Sequence, residues 1–178
     1  MKDETRASAA GTEMVLVHNM IIRGLNSIYQ QAPNVKEEKD ISDFLTYMFG
    51  WATLVHMHHD NEEAVAFPLL EKDIGIEGYM EKNVDQHKLF GPGLKAYDAY
   101  IPAVREGKEK FDGAKVRTII DSFGHVLTQH LTEEIGTLLE LEKFADKIDW
   151  DTWNKKVQEK AVEAGDPVSP FSTPSPIL

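Results

Sequence analysis

Apolar residues recur at alternating steps of three and four along four stretches of the chain, the spacing of amphipathic helices. The first stripe, Met14, His18, Ile21, Leu25 and Ile28, predicts a helix from about Thr12, a suitable N-cap, to Gln31. A polar, proline-containing link over residues 32–40 leads to a second helix from about Ser42 to Leu70, with Phe44, Met48, Trp51, Val55, His58, Glu62, Val65 and Leu69 on its stripe. A turn at Gly75 and Gly78 precedes the third, which carries Met80, Val84, His87, Gly91, Leu94 and Ile101 and is expected to be interrupted at Gly91-Pro92-Gly93. After a charged loop over 102–115, Val116, Ile120, Phe123, Leu127, His130, Glu134, Thr137 and Leu141 mark the fourth. Short links imply antiparallel neighbours, so the expected fold is all-α: an up-and-down antiparallel four-helix bundle. Residues 149–164 predict a short peripheral C-terminal helix pinned by Trp150 and Trp153, and the Pro- and Ser-rich stretch after it an extended tail. The expected division is a flexible N-terminus over 1–11, the bundle over 12–146, and the peripheral helix with its tail over 147–178.

Composition narrows the classes. A chain of 178 residues with 42% hydrophobic and 28% charged residues has the profile of one globular domain. No apolar run approaches the roughly 18 residues of a membrane span, and residues 1–11 lack the apolar stretch of a secretory signal. The absence of cysteine excludes disulfides, thiolate ligands and a Cys nucleophile, and fits a reducing, cytoplasmic setting. A net charge of −11 with scattered Lys and Arg argues against nucleic acid as a partner.

The chemistry lies in polar residues placed on apolar stripes. His58 and Glu62 interrupt the second stripe, His130 and Glu134 the fourth, and each pair is spaced by four, so both side chains leave one face. His18 and His87 lie on the first and third stripes. In an antiparallel bundle all six fall roughly 9 to 21 Å from the same end at 1.5 Å per residue, which makes one polar layer. Buried carboxylates without partners are costly, and two close together repel. A pair of divalent cations removes both penalties, and mixed imidazole and carboxylate donors suit Fe, Mn or Zn better than Ca or Mg. A single His/Glu pair is ordinarily a salt bridge, and a lone stripe histidine ordinarily structural; their duplication and convergence favour metal. A rival donor set on the second helix, His56, His59 and Glu63, shares a less apolar face; Glu133, Glu63, His59 and His125 otherwise read as supporting or surface groups.

The segments Val17-His18-Asn19, Ile22-Arg23-Gly24-Leu25-Asn26, His58-His59-Asp60-Asn61-Glu62-Glu63, Phe67-Pro68, Asp85-Gln86-His87 and His130-Leu131-Thr132-Glu133-Glu134 occur in that order. Over about residues 12–144 the chain resembles the hemerythrin-like family of HHE cation-binding domains, particularly its fungal members. The resemblance implies two non-haem iron ions, with Glu62 and Glu134 bridging them and His18, His58, His87 and His130 as terminal ligands. The family usually carries a second histidine four residues after the third-helix one. Here that position is Gly91, which cannot ligate. Degeneration of one metal position is one reading. The other is an open coordination position beside Gly91, where dioxygen would bind while a small apolar organic substrate approaches past Phe90, Leu94 and Tyr97. The expected function is therefore activation of dioxygen for oxidation of a small organic molecule, with non-catalytic dioxygen or iron binding, storage or sensing as the alternative.

Overall fold

The computed structural model describes residues 5–165, and the expected tail beyond them lies outside the described residues. Helix α1 spans Arg6–Gln31, α2 Glu38–Asn61, α3 Phe67–Ile74, α4 Glu81–Arg105, α5 Gly113–Asp121, α6 Gly124–Glu140 and α7 Trp150–Gly165. No strand occurs among them. A π-helical turn at Glu62–Ala66 joins α2 to α3, and 3₁₀ turns follow α1 and α6.

The bundle is formed by α1, α2, α4 and α6, which contact one another in a closed ring. Their contacts run in opposite senses. Trp51 donates its indole N–H to the carbonyl of Ile21 while His58 meets His18, so position rises along α1 as it falls along α2. The pairs Met48–Tyr97 and His59–His87 do the same between α2 and α4. Gly93 and His87 meet Phe123 and His130 between α4 and the α5–α6 pair. The antiparallel arrangement expected from the stripes is thus present.

Buried apolar residues form two clusters. One gathers Ile21, Leu25, Met48, Trp51, Tyr97 and Phe123 with their neighbours. The other gathers Ala7, Phe67, Leu70, Met80, Leu138 and Trp153 with theirs. The histidines and glutamates of the polar layer belong to neither and are supplied by segments between the two. α7 lies outside the ring, fixed by buried Trp150 and Trp153; the indole N–H of Trp153 donates to the carbonyl of Ala66 at 3.0 Å.

Several boundaries differ from those expected. α1 begins at Arg6, capped by the Thr5 hydroxyl, and buries Ala7 and Ala10, so most of the segment expected to be flexible is helical. The interruption expected at Gly91-Pro92-Gly93 does not occur, and α4 continues through it. Pro92 is exposed, so the carbonyl it leaves without a helical donor lies toward water, which reduces the cost. Gly93 lies where a Cβ would approach that of Phe123 to 2.5 Å, so glycine there permits the contact that holds the segment. The fourth stripe is two helices, broken at Ser122–Phe123, where Phe123 leaves helical geometry at φ −138° and ψ −23°. No described helix is long and apolar enough to cross a membrane.

Candidate metal centre

Seven side chains from four helices and the π-helical turn meet between the apolar clusters. They form two groups of four: His59, Glu62, His87 and His130, and His18, His58, Glu62 and Glu134. Within each group one donor atom per residue lies within 4.8 Å of every other, and Glu62 belongs to both. Glu62 is 2% and Glu134 0% exposed. All six residues expected from the stripes are brought together, and His59 joins them. Its companions on the rival face do not: exposed His56 pairs with Asp98 at 2.8 Å, and Glu63 is partly exposed.

Helix geometry explains both the membership of His59 and the double membership of Glu62. At about 100° per residue, Glu62 lies about 40° around the axis from His58 and about 60° from His59, so its carboxylate falls between the two imidazoles. The π-helical turn begins there. The backbone N–H of Glu62 is shared between the carbonyls of His58 and His59, and its own carbonyl accepts from the N–H of Phe67, five residues on. Assigning residues to faces separated His59 from His58; the neglected signal was a glutamate flanked at helical spacing by consecutive histidines.

The outward nitrogen of each of four imidazoles is held by an acceptor. His18 Nδ1 donates to the Leu131 carbonyl at 2.6 Å and His59 Nδ1 to the Val55 carbonyl at 2.8 Å. His87 Nδ1 donates to the Glu63 carboxylate at 2.7 Å, and His130 Nδ1 to the Gln86 amide oxygen at 3.1 Å. With the Nδ1 protons held outward, neutral rings present bare Nε2 lone pairs to the centre. Gln86 is anchored in turn by Glu133 at 2.9 Å, and Glu133 by Lys82 and Gln129. Those hydrogen bonds push the Glu133 carboxyl down to about 2, so it is a fixed anion that holds Gln86 in place. Glu63 and Glu133 therefore act on ligand histidines from outside the cluster, whereas His125 is exposed.

Inside, the arrangement is unfavourable without a cation. His18 Nε2 lies 2.9 Å from His58 Nε2, and His87 Nε2 lies 3.0 Å from His130 Nε2. In the second pair two bare lone pairs meet and repel unless something positive lies between them; in the first, His58 has no acceptor at Nδ1 among the described residues and can donate from Nε2 to His18. His59 Nε2 and all four carboxylate oxygens of Glu62 and Glu134 are buried without a hydrogen-bond partner among the described residues. Glu62 Oε1 lies 3.0 Å from His58 Nε2, and Glu134 Oε2 lies 3.3 Å from His18 Nε2, a nitrogen whose ring proton is held outward on Nδ1. Burial, then proximity to the other imidazoles, pushes His58 and His59 well below the ordinary histidine range, and His130 down to about 3. Burial and then Glu134 push Glu62 well above the ordinary carboxylate range. Neutral histidines beside crowded carboxylates are a donor set that divalent cations satisfy.

The open position expected beside Gly91 is revised. α4 supplies no donor one turn beyond His87, but His59 reaches the same group from α2. Phe90, Leu94 and Tyr97, the expected route for a substrate, are core residues at 3%, 4% and 0% exposure.

Residues 11–142 match the family model described as the hemerythrin HHE cation binding domain. The chain is 34% identical over 147 residues, 83% of its length, to the dimeric xanthone biosynthesis cluster protein R11 of Cryptosporiopsis sp. (strain 8999). The match covers 55% of that relative, so this chain spans about half its length. No solved structure matches the chain.

Proposed function

Since this chain belongs to the hemerythrin family of HHE cation-binding domains, we propose that its polar layer holds two non-haem metal ions, preferably iron, and uses them to activate dioxygen toward a small organic molecule. The observation that carries the reading is the pair of four-donor groups sharing Glu62, with buried carboxylate oxygens crowded together and, among the described residues, without a donor. His59, His87 and His130 would hold one ion, His18, His58 and Glu134 the other, and Glu62 both.

Donor chemistry and spacing favour iron or manganese, and of the two iron is the one that the resemblance to hemerythrin-like proteins implies. Mixed imidazole and carboxylate donors suit Fe, Mn and Zn. Bonds of about 2.1 Å at right angles put neighbouring donors about 3.0 Å apart, and tetrahedral ones about 3.4 Å. The imidazole pairs at 2.9 and 3.0 Å favour the former, hence iron or manganese over zinc. Four protein donors per ion leave positions free in a six-coordinate shell, so dioxygen does not require a gap at Gly91.

When bound, iron would supply the one-electron chemistry with dioxygen. The protein's part is to hold the imidazoles with Nε2 inward through their Nδ1 acceptors and to exclude water by the apolar clusters above and below. Glu62, reached by both groups, would couple the two ions. The relative's name places it in a biosynthetic cluster for an aromatic organic product. That favours chemistry on an organic molecule over storage or sensing, the alternative reading.

The test is to load the protein with ferrous iron without oxygen, count iron per chain, admit oxygen and follow the visible spectrum. Two irons per chain and rapid decay to ferric iron, faster with an added organic molecule, are expected. A stable, reversible oxygenated spectrum would support the carrier instead, and failure to retain any iron, manganese or zinc would remove the metal reading.

A further inference from the structure

A cleft of about 240 Å³ lies between α1, α2 and α7 and ends on the candidate centre, on the side of His58 and Glu62. Met14, Val17, Leu54, Met57, Trp153 and Val157 supply apolar walls. Met20 and Glu13, both exposed, and Ala161 stand at its outer edge. Among the described residues the only other polar side chains lining it are His58, Asn61 and Glu62, and no lysine or arginine does.

Asn61 provides a specific handle. It is 8% exposed, and its Nδ2 donates to the Val157 carbonyl of α7 at 3.0 Å. A carbonyl only accepts, which fixes the amide orientation and leaves Oδ1 as a buried acceptor with no partner among the described residues. Such an atom is costly until a donor reaches it, and a donor in the cleft reaches it once the side chains that cover Oδ1 shift. A hydroxyl on a bound molecule would be that donor. Three of the chain's six methionines, Met14, Met20 and Met57, line the cleft, and thioethers make favourable contacts with aromatic rings while adapting to their shape. An apolar cavity of about 150 Å³ holds benzene. At 240 Å³ there is room for one or two fused rings with a hydroxyl.

We propose that this cleft binds a small, hydroxylated aromatic molecule, with its hydroxyl donating to Asn61 Oδ1 and its rings among the methionines, at the His58–Glu62 edge of the metal centre. The placement beside a metal rests on the function proposed above; the cleft and its handle do not. Any organic molecule acted on at the centre would then arrive between α1 and α7, opposite to the buried Phe90 side.

The test uses the full chain, loaded in separate samples with Zn²⁺ and Mn²⁺, and titrates 1-naphthol and naphthalene by calorimetry. Naphthol should bind at one equivalent, about fivefold more tightly than naphthalene, the worth of one hydrogen bond. Asn61→Ala should erase the preference for naphthol over naphthalene. Val157→Phe should weaken both about tenfold or more at unchanged metal content, and Leu54→Trp, at a half-buried wall, replaces it if that variant does not fold. Proton relaxation of bound naphthol should be enhanced with Mn²⁺ and not with Zn²⁺. Unchanged naphthol binding in the filled-cleft variants, or a hydroxyl preference that survives Asn61→Ala, overturns the proposal. Binding without Mn²⁺ enhancement overturns the placement at the centre. Naphthol binding to a chain that takes up no metal would instead sink the metal reading and leave the cleft standing.

Discussion

Replacing His59 with alanine tests the centre at its least expected residue. His59 contributes its Nε2 to the group with Glu62, His87 and His130 and nothing to the group with His18, His58 and Glu134. The loss should therefore fall on one ion. Even residues that only support ligands are worth about 10- to 100-fold in metal affinity, so losing a direct donor should weaken that position by at least about 100-fold, or about 2.7 kcal/mol. Metal held at 100 times its Kd stabilises the folded state by about 2.7 kcal/mol, so the melting temperature of the loaded variant should fall by about 5–10 °C for a chain of this size. Calorimetric titration with Mn²⁺ or Fe²⁺ should show two equivalents in the parent and one retained equivalent in His59→Ala. Gly91 offers a rescue: a Cβ there meets nothing within 4 Å, and the position lies one turn beyond His87 on α4. His59→Ala combined with Gly91→His should regain part of the second equivalent. Two equivalents of unchanged affinity in His59→Ala would refute the assignment of His59 as a donor.

Three further outcomes follow from the same geometry. Glu133→Gln removes the anion that anchors Gln86 against His130 Nδ1, and should weaken metal binding about 10- to 100-fold in titration with little change in the fold by circular dichroism. In the metal-free protein the folded state resists protonating His58, His59 and His130, whereas the unfolded chain takes up those protons below about pH 6.5. Their contribution to stability is therefore present above that pH and lost as pH falls toward about 3; Glu62, pushed up, acts in the opposite sense above about pH 4.5, but three histidines outweigh it, so the urea midpoint should drop across this range, and a midpoint that rises on acidification would contradict it. Trp153→Ala removes a buried indole and its hydrogen bond to Ala66, and should cost about 3–5 kcal/mol in urea unfolding, with α7 loosened first in hydrogen exchange.

The bundle was legible because four stripes of large apolar residues have a helical period, and the ordering of His18, His58, His87 and His130 along them placed one polar layer. Features that obey no period were not. The start of α1 rests on Ala7 and Ala10, too small to read as a stripe. The break at Ser122–Phe123 falls between residues that both continue the pattern, since Ile120 and Leu127 are buried on either side of it. Gly91-Pro92-Gly93 carries a local preference for interruption that tertiary contact with Phe123 overrides. His59 was misjudged because stripe reasoning allots each residue to one face, while a carboxylate one turn away can serve two neighbouring faces. The wide turn at Glu62–Ala66 has no pattern of its own to read.

That wide turn ties two parts of the protein together. It holds one residue more than a regular turn would, and the N–H of Phe67 meets the Glu62 carbonyl as the fourth residue on would in ordinary winding. Deleting a single residue between Glu63 and Ala66 should therefore restore a regular helix with Phe67 and Leu70 still in the second apolar cluster. Such a deletion should be better tolerated than one within a regular turn of α2 or α3, which would rotate everything beyond by about 100°.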